Sequence, residues 1–333
     1  MASAPTPFGH VDTTAAHLYT LHHEGITVRI SDAGARLVDL LVADRHGHLS
    51  DVALGCDRAE DYADTPTFMG ATVGRYAGRI AHASFDLAGT THGLDINRPP
   101  HHLHGGREGW DTRLWSVADL ANDSITFTLH SPDGDMGYPG DVTANCTYRL
   151  SPRHLTITMT ATTTSDTIIN LINHVYLNLA GHDSGSTLDQ LIQIPADHYL
   201  VVDSDLIPTG EMADVTGTRY DFRTLRPLRE GYDDTWCLHS ADAPTHLALV
   251  AHDPVSGRTV QVTTTEPGLT LFNLSSITEP VRGKNGASYG RHAGFTIETQ
   301  KFPNSPRIAD FPSPLLRAGE TYRHVMELDF TVM

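Results

Sequence analysis

Leu155-Thr-Ile-Thr-Met-Thr-Ala-Thr162 places an apolar side chain at each odd position and a threonine at each even one. A period of two belongs to a strand, because successive side chains leave a pleated backbone on opposite faces. Threonine suits the wetter face of such a strand. Working outward, the alternation recurs. Ile125, Phe127 and Leu129 alternate with Thr126, Thr128 and His130, and Val260 and Val262 with Gln261 and Thr263. Met326, Leu328, Phe330 and Val332 alternate with Glu327, Asp329 and Thr331. Between such runs lie turn clusters: Gly105-Gly106, Ser131-Pro-Asp-Gly134, Gly137-Tyr-Pro-Gly140 and Asp253-Pro254. Helical periodicity is weak, and only residues 58–62 read as one short turn or helix. With no internal repeat, charge run or linker, residues 1–333 are read as one all-β domain, a large antiparallel β-sandwich.

The composition narrows the partners. A net charge of −17 argues against nucleic acid and against an anionic membrane surface. Three cysteines, Cys56, Cys146 and Cys237, form no C-x-x-C pair and no even-numbered disulfide framework. The first residues lack a basic and an apolar leader region, and no run is long enough to cross a bilayer. The expected location is cytoplasmic, so the sequons at Asn122, Asn145 and Asn273 are chance matches.

Two distant apolar runs each carry one ionisable group. Asn170-Leu-Ile-Asn-His-Val-Tyr-Leu-Asn-Leu-Ala-Gly181 holds His174, and Gly294-Phe-Thr-Ile-Glu-Thr-Gln-Lys-Phe-Pro303 holds Glu298. A charged group in such a run is costly unless paired or used in chemistry. One His and one Glu on rigid strands make a general acid/base pair. The plainer alternatives are a satisfied core histidine and a solvent-facing strand glutamate, and residue types alone leave these open. Asn170, Asn173 and Tyr176 crowd the same stretch as His174, as in a lined pocket. The run His101-His-Leu-His104 invites a metal reading, but no H-E-x-x-H spacing accompanies it. Asp133-Gly-Asp135 resembles the start of a calcium loop without its closing Glu, which favours a turn. Arg79 among small residues, and Asp233 in Gly231-Tyr-Asp-Asp-Thr-Trp236, are left undecided by composition.

Taken in order, these segments resemble the aldose 1-epimerase (galactose mutarotase) family almost end to end. The matching stretches are Asp51-Val-Ala-Leu-Gly55, Gly74-Arg-Tyr-Ala-Gly-Arg-Ile80, Leu103-His-Gly-Gly106 with Trp110, and Ser131-Pro-Asp-Gly134 with Tyr138-Pro-Gly140. They continue with the His174 run, Ile207-Pro-Thr-Gly210, Asp221-Phe222, Glu298-Thr-Gln-Lys-Phe-Pro303 and Leu316-Arg-Ala-Gly-Glu320. The resemblance implies a β-sandwich enzyme, an isomerase that interconverts the α and β anomers of a free monosaccharide of the glucose or galactose type. It implies Glu298 as general base and His174 as general acid, with Glu298 ionised and His174 protonated at the start. Arg79, His104 and Asp233 fall on positions that contact sugar hydroxyls, with Gly78, Thr270 and Tyr176 as further candidates at the substrate. No metal, nucleotide or redox cofactor is implied, and a monomer or homodimer is expected. Three positions depart from the family pattern: Gly78 replaces an Asn, Asp234 a His, and Thr270 a Gln. They leave the reaction intact and bear on the preferred sugar. The competing readings are an epimerase of a phosphorylated sugar, a glycoside hydrolase using Glu298 and Asp233, and a non-catalytic sugar-binding module.

Overall fold

The computed structural model describes residues 4–63, 65, 67–239 and 244–333. Its largest sheet has nine strands, in the order Ser116–Leu120, Ser124–Ser131, Val142–Ser151, His154–Thr163, Thr321–Val332, Arg258–Thr264, His246–His252, Leu191–Gln193 and Arg226–Pro227. A five-stranded sheet is built from Thr6–Val11, Thr14–His23, Ile26–Ser31, Arg36–Ala43 and Leu49–Asp51. A second five-stranded sheet runs Pro208–Asp214, His198–Val202, Asp233–Cys237, Gly268–Phe272, Glu298–Gln300. The ladders within these sheets are antiparallel. Among the described residues the helical pieces are 3₁₀ turns of three or four residues, including Ala59–Tyr62, where the sequence suggested a short turn.

The alternation read from sequence is the alternation of burial. Leu155, Ile157, Met159 and Ala161 are buried, while the threonines between them are partly open. Ile125, Phe127 and Leu129 behave likewise, as do Met326, Leu328 and Phe330. Val332 departs from the pattern because it lies at the frayed end of its strand and is exposed. Burying each such aliphatic side chain is worth about 1.5–3 kcal/mol. One continuous core takes residues from all three sheets, among them Val28 and Leu40, Ile157 and Val262, and Trp236 and Leu271. Cys56, Cys146 and Cys237 are free thiols. Asp133 and Asp135 organise a turn: Asp133 Oδ1 accepts from the Gly140 N–H, and Asp135 pairs with Arg113 at 2.6 Å.

A buried cation ties the first sheet to a stretch that will matter below. Lys284 Nζ donates to the Val38 carbonyl at 2.8 Å, to Asp39 Oδ1 at 3.1 Å and to Asp51. This fixes the end of the chain segment 276–282, which borders the main cavity. No helix among the described residues is long and apolar enough to cross a membrane.

Candidate active site

The register of one sheet builds the floor of a cavity of about 770 Å³. Thr235 pairs with Thr270, and Thr270 pairs with Glu298. Residues two apart along a strand share a face. Asp233 and Thr235, Thr270 and Phe272, and Glu298 and Gln300 therefore point together into the cavity, and all six line it. The residues between them face away: Trp236, Leu269 and Leu271 enter the core, Thr299 meets His324, and Asp234 bonds Arg219 at 2.8 Å.

His174 arrives from the opposite wall between two short strands, Ile172–Asn173 and Tyr176–Leu177. Its backbone is clamped on both sides, N–H to the Ala71 carbonyl and carbonyl from the Gly70 N–H, each at 2.8 Å. His174 Nε2 then stands 3.4 Å from Glu298 Oε1, with both residues buried. The expected pair is brought together from 124 residues apart in sequence, 298 − 174.

The other expected residues converge on the same cavity, which Gly78, Arg79, His104, Tyr176, Asp233 and Thr270 all line. Arg79 Nη2 lies 3.6 Å from Asp233 Oδ2, each about a quarter exposed, so both keep capacity for a ligand. The Gly78 N–H donates to His104 Nδ1 at 3.2 Å. That leaves His104 with its proton on Nε2, as a donor. The Tyr176 ring lies 5.1 Å from the His174 ring, and Phe68 packs against His104 at 4.8 Å and His174 at 5.6 Å. Thr270 Oγ1 is 2.7 Å from Thr235 Oγ1 and accepts from Gln300 Nε2 at 2.7 Å. Gly78 has φ +81, and a Cβ there would meet Pro303 at 3.1 Å, so this position acts through its backbone.

Some readings from sequence change here. Asn170 and Asn173 do not line the cavity; they bond the backbone at Ala77 and Gly70, holding the chain that carries His174. Of the three histidines in the 101–104 run only His104 reaches the site. His101 Nε2 approaches Asp205 at 3.4 Å, and His102 lies between the Asp95 carbonyl and the Tyr138 hydroxyl. Sequence reasoning missed Thr235, Phe272, Gln300 and Phe68. The first three were within reach of the period-two rule, counted from Asp233, Thr270 and Glu298. Phe68 carried no signal. Two further arginines, Arg98 and Arg282, border the cavity, together with Asp61 and Glu279, so the cations there are matched by acids.

Burial sets the protonation of the pair. Glu298 is pushed up to about 8, by loss of water first and by the Asp233 carboxylate second. His174 is pushed down to about 3, by burial first, with the Arg36 cation also lowering it. Burial likewise lowers His104 well below its ordinary value, with His174 and Arg79 adding to the effect. Burial thus favours the pair's shared proton on Glu298, with His174 neutral. The sequence reading has the same count with the proton on His174. The difference follows from burial, since two neutral groups cost less there than an ion pair.

A family model described as aldose 1-epimerase matches residues 17–329. The chain belongs to the aldose 1-epimerase family. The galactose mutarotase of Mus musculus is 39% identical over 322 residues, covering 94% of each chain. The aldose 1-epimerase of Escherichia coli is 32% identical over 342 residues, covering 98% of each. The crystal structure of an aldose epimerase homologue from C. elegans superposes with a TM-score of 0.91 at 28% identity, over 96% of this chain and 100% of that one. This epimerase is an isomerase whose reaction interconverts aldose anomers.

His104, His174 and Glu298 offer donor atoms within 4.8 Å of one another, which invites a metal. The donor set does not fit one. His104 would have to present a lone pair from Nε2 and carry its proton on Nδ1, against the Gly78 N–H that now donates there. A metal-bound His also gives its second ring N–H to an acceptor, and among the described residues His174 Nδ1 has no partner. Dialysis against a strong chelator is expected to leave kcat unchanged; loss of activity restored by zinc or manganese would overturn this.

Burial of Glu298 also makes a stability prediction. Its carboxyl is raised in the folded state, so its contribution is full below the unfolded value, near 4.5, and is lost as pH rises through about 8. Glu298→Gln has no carboxyl to ionise. Its unfolding free energy, relative to wild type, should therefore improve from pH 4.5 to 8, by at most about 5 kcal/mol. Urea titrations across that range read the difference.

Proposed function

We propose that Glu298 and His174 perform the anomer interconversion directly, on a free aldose of the glucose or galactose type. The observation that carries the reading is their 3.4 Å separation in a buried cavity wall, with Arg79, His104 and Asp233 on the same cavity. Opening the cyclic sugar takes a proton from the C1 hydroxyl and gives one to the ring oxygen. The shared proton first passes from Glu298 Oε1 to His174 Nε2 across the 3.4 Å between them; Glu298, now a carboxylate, takes the first, and His174, now an imidazolium, gives the second. The pair then stands as neutral carboxylic acid and neutral imidazole beside the open-chain aldehyde. Rotation about C1–C2 presents the other face, and closure runs the transfers backwards. The pair thus returns to the neutral arrangement that burial favours once the chain is open. Orientation by Arg79, His104 and Asp233 supplies the remainder.

The mutarotase names of the mammalian relatives support a hexose. The balance of Arg79, Arg98 and Arg282 against Asp61, Asp233 and Glu279 supports an uncharged sugar over a phosphorylated one. Three unpaired thiols support a cytoplasmic location. One continuous family match supports a single domain over 1–333.

Polarimetry of α-glucose and α-galactose tests the function. Glu298→Gln and His174→Asn should each lower kcat by about 10²–10⁴-fold while the fold persists. The wild-type kcat/KM should hold across the pH range in which the pair carries one proton, falling above about 8 as Glu298 loses it and below about 3 as His174 gains a second. Variants with unimpaired kcat would remove the pair from the reaction, and a wild-type protein that binds sugar without speeding mutarotation would favour a non-catalytic binding module.

Thr270 tests the sugar preference. Its hydroxyl is already engaged by Thr235 and Gln300, so it has little left to offer a substrate. Thr270→Gln should lower KM for one hexose, by about 2–10-fold, with kcat little changed. Equal KM values for glucose, galactose, xylose and arabinose before and after would remove Thr270 from sugar reading.

A further inference from the structure

Arg36 is buried, yet among the described residues no carboxylate holds its guanidinium. Nη1 donates to the Met69 carbonyl, Nη2 donates to the Asp111 carbonyl at 3.0 Å, and Nε has no partner. The guanidinium lies over the Tyr62 ring at 3.9 Å. A buried cation kept on two backbone carbonyls is an expensive way to fill space. One arm of its grip falls on the turn of residues 68–71. Next to Arg36, the Leu37 N–H donates to the Gly70 carbonyl at 2.9 Å, so the start of the strand Arg36–Ala43 holds two consecutive carbonyls of that turn.

The far side of the turn is the wall of the active site. The Gly70 N–H and the Ala71 carbonyl make the two backbone bonds to His174, and Phe68 lies against the His174 and His104 rings. Gly70 leaves no slack, because a Cβ there would meet the Leu37 carbonyl oxygen at 2.0 Å. We propose that Arg36 is a positioning residue for the reaction, which acts on His174 through the turn 68–71 and through its own buried charge. It sets where the His174 imidazole stands relative to Glu298 and opposes its protonation to imidazolium. The groups facing His174 are Glu298 at 3.4 Å, the His104 ring at 5.4 Å, the Tyr176 ring at 5.1 Å and the Arg36 cation. Arg36 is the permanently charged member of that set. The proposal rests on the acid role given above to His174.

Two variants separate grip from charge. Arg36→Lys keeps the cation and loses the two-pronged hold on Met69 and Asp111; Arg36→Gln loses both. Both should lower kcat at least about 10-fold with KM within about threefold, because the reacting group is displaced while the sugar contacts stay. The acid limb of kcat/KM should stay in place in Arg36→Lys. In Arg36→Gln it should move to higher pH, since less opposes the imidazolium. The nitrogen NMR titration of His174 should follow the same split. Folded variants with kcat within threefold of wild type and an unmoved acid limb would overturn the proposal. If Arg36→Gln does not fold, an Arg36→Lys enzyme with wild-type kcat overturns it alone. Full activity in His174→Asn would instead sink the acid role itself, so the two failures are distinguishable.

Discussion

An acid and an imidazole held 3.4 Å apart in a wall nearly closed to water constrain the remainder of the site. Water would let both be charged. Burial lets the pair keep one proton and makes the neutral form its resting state. The surrounding architecture has to keep that pair in place without neutralising it permanently. A strong cation in contact with Glu298 would lock it as a carboxylate. Arg79 instead leans toward Asp233, and Asp233 pushes Glu298 in the opposite direction.

Holding His174 falls to backbone more than to side chains. Its N–H and carbonyl are both bonded to the turn at 70–71, and its Nδ1 has no partner among the described residues. The ring is fixed by aromatic neighbours rather than by a hydrogen-bonded carboxylate. Histidines in hydrolytic triads are oriented by an acid that also stabilises the imidazolium. Here the orienting contacts carry no negative charge, which suits the proton-donor role proposed for His174.

Much of this was legible in the chain, and the limit has a physical cause. Period-two runs such as 155–162 announce their buried face because burial and pleat share one period. Glu298 and His174 stood out as ionisable groups in apolar surroundings. The proton's location did not, since it depends on how much water each group loses after folding. Asn170 and Asn173 looked like pocket polar groups and are backbone clamps, because an amide in an apolar run serves either purpose and only the third dimension chooses. Gln300 and Thr235 were derivable by counting two residues from known site positions. Phe68 and Arg36 were not, because their effect runs through a turn whose partner strand lies elsewhere in sequence.

The three strands under the cavity have two sides with different obligations. Asp233, Thr235, Thr270, Phe272 and Gln300 face the cavity, while Leu269, Leu271 and Trp236 are committed to the core. Substitution on the first side changes what is recognised and leaves the packing intact; on the second it threatens the fold. A lineage built this way can explore new substrates one alternate residue at a time.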